Sequence, residues 1–237
     1  MTDATIAILI PTLNEENVLA RALIAVRSQM DKRMRLIVAD GGSSDGTRET
    51  ARQQGALVIE TSRRGRGCQI AEALTQIHED VVVIVHADMV LLPDSCARIR
   101  RWLGEHKQCP GGCLGHRFAS TRWTYRLVEW WDRRRALRGI SYGDQGQFFR
   151  REWIEHSGGF PQQPIMEDLE LSRRLRVLGT PAYLDYPAQV SPRRFERLGW
   201  LRTISTNFLL RLTYRIGGQT ACHKLYRRYY SFVGELR

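Results

Sequence analysis

Long apolar runs are missing from this chain of 237 residues. No stretch approaches the roughly 20 apolar residues that cross a bilayer, so a membrane-spanning helix is not expected. The first residues do not read as a leader: Met1-Thr2-Asp3-Ala4 has no basic n-region and the apolar segment after it ends at Pro11. No signal peptide is expected, and the chain is expected to be cytoplasmic. Cysteine is sparse. The five (Cys68, Cys96, Cys109, Cys113, Cys222) form an odd set without a CxxC pair, which argues against a disulfide scaffold and suits reduced thiols. Cys109 and Cys113 are the one close pair, and no second Cys/His pair stands nearby to complete a tetrahedral zinc site. Internal repeats, low-complexity segments and long linkers are absent as well, which leaves one large α/β domain or one domain with an appendage.

Acidic residues are outnumbered: 36 Lys and Arg face 25 Asp and Glu, for a net charge of +11. The excess is uneven. From Arg193 to Arg237 ten basic residues meet only Glu196 and Glu235, a surplus of +8. Such a tail favours an anionic partner, whether lipid head groups, a phosphorylated substrate or nucleic acid.

What is present centres on Val81-Val82-Val83-Ile84-Val85-His86-Ala87-Asp88. A strand apolar on both faces belongs in a covered parallel sheet. Open α/β sheets place ligands at the carboxyl ends of their strands, so Asp88 arrives where a metal ion or polar substrate would sit. Asp88 as a plain turn residue ahead of Asp94, the expected N-cap of the next helix, fits the same residues equally well.

The preceding chain repeats that plan. Thr5 to Ile10 reads as a strand, with Asn14 as N-cap of a helix to about Gln29. Arg35 to Ala39 is a second strand, delivering Asp40 and Gly41-Gly42-Ser43-Ser44-Asp45-Gly46, with Ser44 or Asp45 capping a helix through Gln54. Ala56 to Glu60 is a third strand, followed by the basic loop Arg63-Arg64-Gly65-Arg66-Gly67 and a helix from about Cys68 to His78. Alternating strands and helices with short connections predict right-handed crossovers and a parallel sheet. Thr12 with Glu15, Asp40, and His86 with Asp88 then share one sheet edge.

Beyond Pro110 the pattern changes. Gly112 to Ala119 reads as one strand. From Thr121 a helix carries Trp123, Leu127, Trp130 and Trp131 at helical spacing, expected to pack mostly on the sheet and less readily to form an acceptor groove or touch lipid. Gly143-Asp144-Gln145-Gly146 is a polar turn, and Met166-Glu167-Asp168 leads into another apolar-periodic helix. Asp168 there would suit the helix dipole with no further role. The tail predicts an amphipathic helix with Leu201, Ile204, Phe208, Leu212 and Ile216 on one side, ended by Gly217-Gly218.

Four segments taken together, Ile10-Pro11-Thr12-Leu13-Asn14-Glu15, Val38 to Thr47, His86-Ala87-Asp88 and Glu167-Asp168, resemble family 2 glycosyltransferases of the GT-A fold over about the first 180 residues. Finer details, among them Gly65-Arg66-Gly67, Gly143-Asp144-Gln145 and Arg193-Arg194-Phe195-Glu196-Arg197, are similar to a small bacterial subgroup linked with arsenosugar biosynthesis.

The resemblance implies an α/β, Rossmann-like, doubly wound, mostly parallel sheet with a C-terminal helical appendage. Residues 1–190 would be the catalytic domain (1–109 the nucleotide-binding half, 110–190 the acceptor half) and 191–237 a basic amphipathic extension. It implies inverting transfer of a sugar, of hexosyltransferase type, from a UDP- or GDP-sugar to an acceptor hydroxyl, assisted by Mg²⁺ or Mn²⁺. Carried over by position, Pro11, Thr12, Glu15, Asp40, Gly41, Arg66, Ala87 and Asp88 would hold the nucleotide sugar. Asp88 would hold the metal, Asp168 would be the general base, and Asp144, Gln145 and Glu167 would lie on the acceptor side.

Two positions depart from the family pattern. His86 stands where a first carboxylate of Asp-x-Asp is frequent, and Gly41 where a second follows Asp40. The competing classes are a basic nucleic-acid-binding protein, for which no recognised module appears, and a non-catalytic nucleotide-sugar binder at a membrane surface. On the glycosyltransferase reading nucleic acid is not an expected partner, and the extension is expected to touch the anionic inner face of the membrane.

Overall fold

The computed structural model describes residues 3–233, with the side chains of all but 219, 222, 223 and 225–233 among them. Cys222 and His223 therefore lie outside the described side chains. Four strands, β1 (Ile6–Thr12), β2 (Met34–Asp40), β3 (Leu57–Glu60) and β4 (Val81–Ile84), run parallel, and the connections between them carry α1 (Glu16–Arg27), α2 (Thr47–Gln53) and α3 (Arg66–Leu74). Next come β5 (Met89–Val90), α4 (Ser95–Glu105), β6 (Gly111–Cys113), β7 (His116–Phe118), α5 (Trp123–Ala136) and β8 (Gln147–Arg150). The chain ends with α6 (Arg151–His156), α7 (Glu167–Leu178), β9 (Ala182–Tyr183), β10 (Ala188–Val190), α8 (Arg193–Leu198) and α9 (Trp200–Val233).

The described residues form a seven-stranded sheet in the order β3-β2-β1-β4-β8-β6-β9, with β8 antiparallel to both its neighbours, and a small sheet in the order β5-β10-β7. The apolar runs that predicted covered strands are buried on both faces. Ile6, Ile8, Ile10, Val81 and Val83 share one core with Leu19 and Leu23 of α1 and Ile99 of α4. The alternate residues Ala7, Leu9, Val82 and Ile84 pack with Ile70 of α3 and Leu171 and Leu175 of α7. Helices on both faces make the sheet doubly wound, as expected, and align the carboxyl ends of β1, β2 and β4 along one edge.

Several local expectations are corrected. Asn14 does not cap α1. It adopts a left-handed φ of 55°, and its Oδ1 accepts from the Ser44 amide at 2.9 Å, tying the loop after β1 to the loop after β2. Asp94 does precede α4, but with φ of 63° and without a side-chain cap. Gly112 to Ala119 is two strands in two sheets, not one. The Leu114 and Gly115 amides leave the ladder to donate to the Gln145 carbonyl, and Gly115 turns the chain at φ of 92°.

The tryptophans of α5 face outward. Trp123 is 74% and Trp131 59% exposed, while Tyr125 and Ala136 supply the buried side. Periodicity showed a stripe, but it could not say that the ring of Tyr125 would fill the contact with Phe118 and Phe195 instead. The tail behaves alike: Leu201, Phe208, Leu212 and Ile216 are exposed, and Thr203, Leu210 and Tyr214 are the buried face. Gly218, at φ of 57°, interrupts the helix where the glycine pair predicts a stop, and α9 resumes beyond it to Val233. Among the described residues no helix is long and apolar enough to cross a membrane.

Candidate active site

Strand β2 delivers Asp40 with its side chain fully buried. Its carboxylate is enclosed by short, fixed donors: the Ser43 amide at 2.8 Å, the Gly42 amide at 3.1 Å, the Ser43 hydroxyl at 2.5 Å and the Thr12 hydroxyl at 3.1 Å. Pro11 and Thr12 pair with Ala39 and Asp40 across the ladder, so the β1 and β2 ends form one rigid corner. Gly41 has a packing reason for lacking a side chain. A Cβ there would lie 2.7 Å from Nε2 of Gln69, whose amide donates to the Thr12 carbonyl at 2.7 Å and the Ala39 carbonyl at 3.1 Å. A second carboxylate at this corner would have to displace the Gln69 amide from its two carbonyl partners.

Arg66 opens α3 and is turned inward. Its Nε pairs with Glu167 Oε1, Nη2 lies 3.1 Å from Asp168 Oδ2, and Nη1 lies 3.3 Å from His86 Nε2. The approach depends on glycine: a methyl on Gly67 would collide with the Gln163 and Pro161 carbonyls and with Glu167, so only a bare backbone lets α3 meet the chain entering α7. Arg63 of the same basic loop donates to Gln162 at 3.0 Å. The loop that sequence alone offers to nucleic acid therefore spends two of its arginines on the protein itself.

His86 is held neutral at ordinary pH. Burial pushes its pKa well down, and the nearby Arg66 and Arg193 guanidiniums push the same way. A neutral ring beside an arginine N–H accepts at Nε2 and carries its proton at Nδ1. Glu167 moves upward, to about 7, chiefly through burial and further through Asp168, against the opposing pull of Arg66.

Asp168, in the first turn of α7, accepts at Oδ2 from the Gly143 amide at 2.9 Å as well as from Arg66, and at Oδ1 from the Leu169 amide at 2.7 Å. A carboxylate oxygen has two lone pairs, so these hydrogen bonds leave Oδ1 one acceptor position. Gly143 also crowds His86, since a Cβ there would sit 2.5 Å from Nε2.

Asp88 lies at the rim, with a side chain 24% exposed, and Ala87 beside it is buried. Its partner is Arg193 of α8, whose Nε is 3.1 Å from Asp88 Oδ2 and whose Nη2 is 3.0 Å from both oxygens of Glu15. Asp144 Oδ1 is 3.8 Å from Nδ1 of buried His116, whose Nε2 has Asp132 at 3.6 Å. Gln145 is buried and holds its own turn, accepting the Tyr142 amide at 2.9 Å.

The structure thus gathers Glu15, Arg66, His86, Asp88, Glu167 and Asp168 along one edge, while Asp144 faces His116 and Gln145 holds its own turn. Sequence reading missed Arg193 as a site residue. Its only sequence signal was its place at the head of Arg193-Arg194-Phe195-Glu196-Arg197.

The donor set fits a divalent cation shared with an anionic ligand. Asp88 and Glu15 converge on one guanidinium, and among the described residues no group of three or more His, Cys, Asp or Glu is arranged to hold a metal unaided. A cation held by one or two carboxylates and completed by phosphate oxygens is the usual arrangement for Mg²⁺.

A doubly wound α/β sheet with acidic and basic side chains gathered at its carboxyl edge defines a class that binds charged ligands there. Residues 7–158 match the family described as Glycosyl transferase family 2, and the chain belongs to that family. Two relatives from Haloferax volcanii match shorter segments: glycosyltransferase AglJ, 38% identical over 73 residues, and low-salt glycan biosynthesis hexosyltransferase Agl6, 32% identical over 87 residues. Those segments cover 31% and 35% of this chain, and only 23% and 21% of the relatives.

Among solved structures, the mannosyltransferase PcManGT from Pyrobaculum calidifontis, in complex with GDP-Man and Mn²⁺, aligns with a TM-score of 0.65 at 21% identity. That alignment covers 78% of this chain and 56% of PcManGT. Glucosyl-3-phosphoglycerate synthase from Mycobacterium tuberculosis, with Mn²⁺, UDP and glucosyl-3-phosphoglycerate, aligns with a TM-score of 0.55 at 21% identity, covering 85% of this chain and 79% of the synthase. At such identities the likeness is one of fold, and the fold is that of these GT-A enzymes.

Proposed function

We propose that the protein transfers a sugar, a hexose on the expected pattern, from a UDP- or GDP-sugar to an acceptor hydroxyl with inversion. The observation that carries the reading is the pair of carboxylates at one sheet edge, Asp88 and Asp168, each held by an arginine rather than by fixed backbone donors alone. Two of the structural neighbours were solved with Mn²⁺ and a nucleotide or nucleotide sugar, which supports the same ligand class here.

Residues 1–109 would bind the nucleotide and 110–190 the acceptor. Pro11, Thr12, Asp40 and Gly41 would form the rigid corner beneath the nucleoside. Asp88 would hold Mg²⁺ or Mn²⁺, which as a Lewis acid neutralises charge developing on the leaving diphosphate. Asp168 would take the acceptor's proton through the open position on Oδ1 as general base. Arg66 fixes that carboxylate through Nη2, and the Gly143 amide holds it from the side of the acceptor half.

The narrower likeness, to the subgroup linked with arsenosugar biosynthesis, rests on short motifs that include Gly65-Arg66-Gly67, His86-Ala87-Asp88 and Gly143-Asp144-Gln145, and Arg66, His86 and Gly143 from these three meet in one contact.

The test is a screen of UDP- and GDP-sugars with Mn²⁺, read by thermal stabilisation and by hydrolysis. Ligand at about 100 times Kd adds roughly 2.7 kcal/mol. If no nucleotide sugar or nucleoside diphosphate stabilises the protein, the reading is wrong. Binding without turnover, unchanged in Asp168→Asn, would leave a nucleotide-sugar binder.

Residence in the cytoplasm with extension 191–237 against the membrane's inner face belongs to the same proposal. Its support is the exposed stripe Leu201, Phe208, Leu212 and Ile216 interleaved with Arg202 and Arg215. Co-sedimentation with phosphatidylserine vesicles, lost in pure phosphatidylcholine and weakened by salt, is expected. Equal behaviour on both lipids rules out the charge-driven contact.

A further inference from the structure

Arg193 belongs to α8, near the far end of the chain, yet its guanidinium bridges the carboxyl ends of β1 and β4, through Glu15 and Asp88. We infer that Arg193 is the chain's own substitute for the divalent cation. It holds Asp88 while no donor is bound, releases it to the metal when the donor enters, and takes the donor diphosphate as its new partner. Metal and nucleoside diphosphate then bind as a pair rather than separately. This rests on the proposed role of Asp88 as the metal-holding carboxylate.

Three observations carry it. First, a cation arriving alone must break the 3.1 Å contact between Arg193 and Asp88, and no three-residue cluster among the described residues waits to complete its coordination. Second, a diphosphate arriving with the cation compensates the displaced guanidinium, because a planar fork of donors matches phosphate oxygens two at a time. Third, the exchange needs only a side chain to move. Arg193 is 43% exposed, whereas the body of α8 is pinned by Phe195, whose ring meets Phe118 at 5.4 Å, Tyr125 at 5.5 Å and Trp200 at 5.3 Å.

The experiment uses the full chain and two readouts that need no turnover. Mn²⁺ binding without nucleotide is followed by the resonance signal of the free ion, and UDP and GDP binding by calorimetry with and without Mn²⁺. Arg193→Gln is expected to bind Mn²⁺ alone roughly tenfold more tightly, and the better diphosphate with Mn²⁺ roughly tenfold more weakly, a coupling of ordinary size between two ligands. Arg193→Lys keeps a point charge without the fork and is expected to shift both constants in the same directions by less. It carries the same two measurements should the Gln variant fail to fold.

An Arg193→Gln protein whose Mn²⁺ affinity does not rise, or whose diphosphate affinity does not fall, overturns the inference while Mn²⁺-dependent binding by the wild type leaves the functional reading standing. A wild type that binds neither UDP nor GDP with Mn²⁺ removes both.

Discussion

Asp40 ends β2 and Asp88 follows β4, the strands that flank β1 on either side, and the two live in different surroundings. Asp40 is enclosed by two backbone amides and two hydroxyls within 3.1 Å, from the turn after β2 and from Thr12 of β1, with Arg48 Nε further off at 3.9 Å. Asp88 meets a half-exposed arginine on a long side chain. Asp168 resembles Asp88 on one side, through Arg66, and Asp40 on the other, through the Gly143 amide. A carboxylate satisfied by rigid neutral donors is part of the scaffold, since displacing them would break the corner. A carboxylate satisfied by a mobile cation can trade partners. On the proposed reading the edge divides into a corner that gives shape and a stretch whose charges a ligand would take over.

The largest effect that would sharpen this division is on turnover. Asp168→Asn is expected to lower it by roughly 10²–10⁴-fold, as for a lost general base, with donor binding nearly unchanged. All three described partners of the carboxylate are donors, so the amide NH₂ must face at least one of them. Thermal unfolding of the same variant separates lost proton transfer from a displaced α7. Near-normal turnover would return the proton to another group, with Glu167 the first to examine.

Glu167 gives the next effect, through pH. Its folded-state pKa of about 7 lies above the unfolded value of 4.5, so the folded protein holds this proton more tightly. Stability from this group is then fully present below about 4.5 and falls as pH rises toward 7, by at most roughly 3 kcal/mol, and levels off above that. Glu167→Gln should flatten this component of the Tm profile between those limits. A profile unchanged by the substitution would mean that Arg66 keeps Glu167 ionised throughout.

Much of the edge was legible beforehand because its physics is local. Strands buried on both faces must be apolar without alternation, and the polar residues that end such runs, Asp40 and Asp88, mark the carboxyl ends of β2 and β4. What was not legible depends on long-range placement. Arg193 and Glu15 are 178 residues apart, and nothing in the spacing of either announces the other. Gly41 is small because Gln69 lies against it, a fact of packing between a loop and α3. The outward face of α5 shows the remaining limit: Trp123, Trp130 and Trp131 share helical spacing with core residues, and only the identity of the neighbour, here Tyr125 against Phe118, decides which side is dry. Stripe and burial are different quantities.

The corner itself can be broken with Asp40→Asn. The new NH₂ faces donors on every side, leaving at least one buried hydrogen-bonding group unsatisfied at a cost of about 2 kcal/mol. For a chain of this size that lowers Tm by roughly 4–8 °C. Calorimetry on the ligand-free protein checks it, and a Tm within a degree of wild type would place Asp40 among the exchangeable carboxylates.

Asp88→Asn should have the smallest effect on the fold, and that is what makes it the sharper half of the contrast. Its partner is a half-exposed arginine, and exposed ion pairs contribute roughly 0–1 kcal/mol, so Tm should stay close to that of the wild type. Arg193 keeps Glu15 at 3.0 Å as an anchor, so α8 has no reason to shift. The loss should appear only with ligand. Binding of UDP or GDP in Mn²⁺ should weaken, because an amide oxygen is a poorer partner for a hard cation than a carboxylate. Binding measured in chelator should not weaken, since Arg193 is then no longer paired with Asp88. An equal loss in chelator would mean that Asp88 acts on the nucleotide without a metal, and a large fall in Tm would make Asp88 a second Asp40, erasing the distinction between the two ends of the edge.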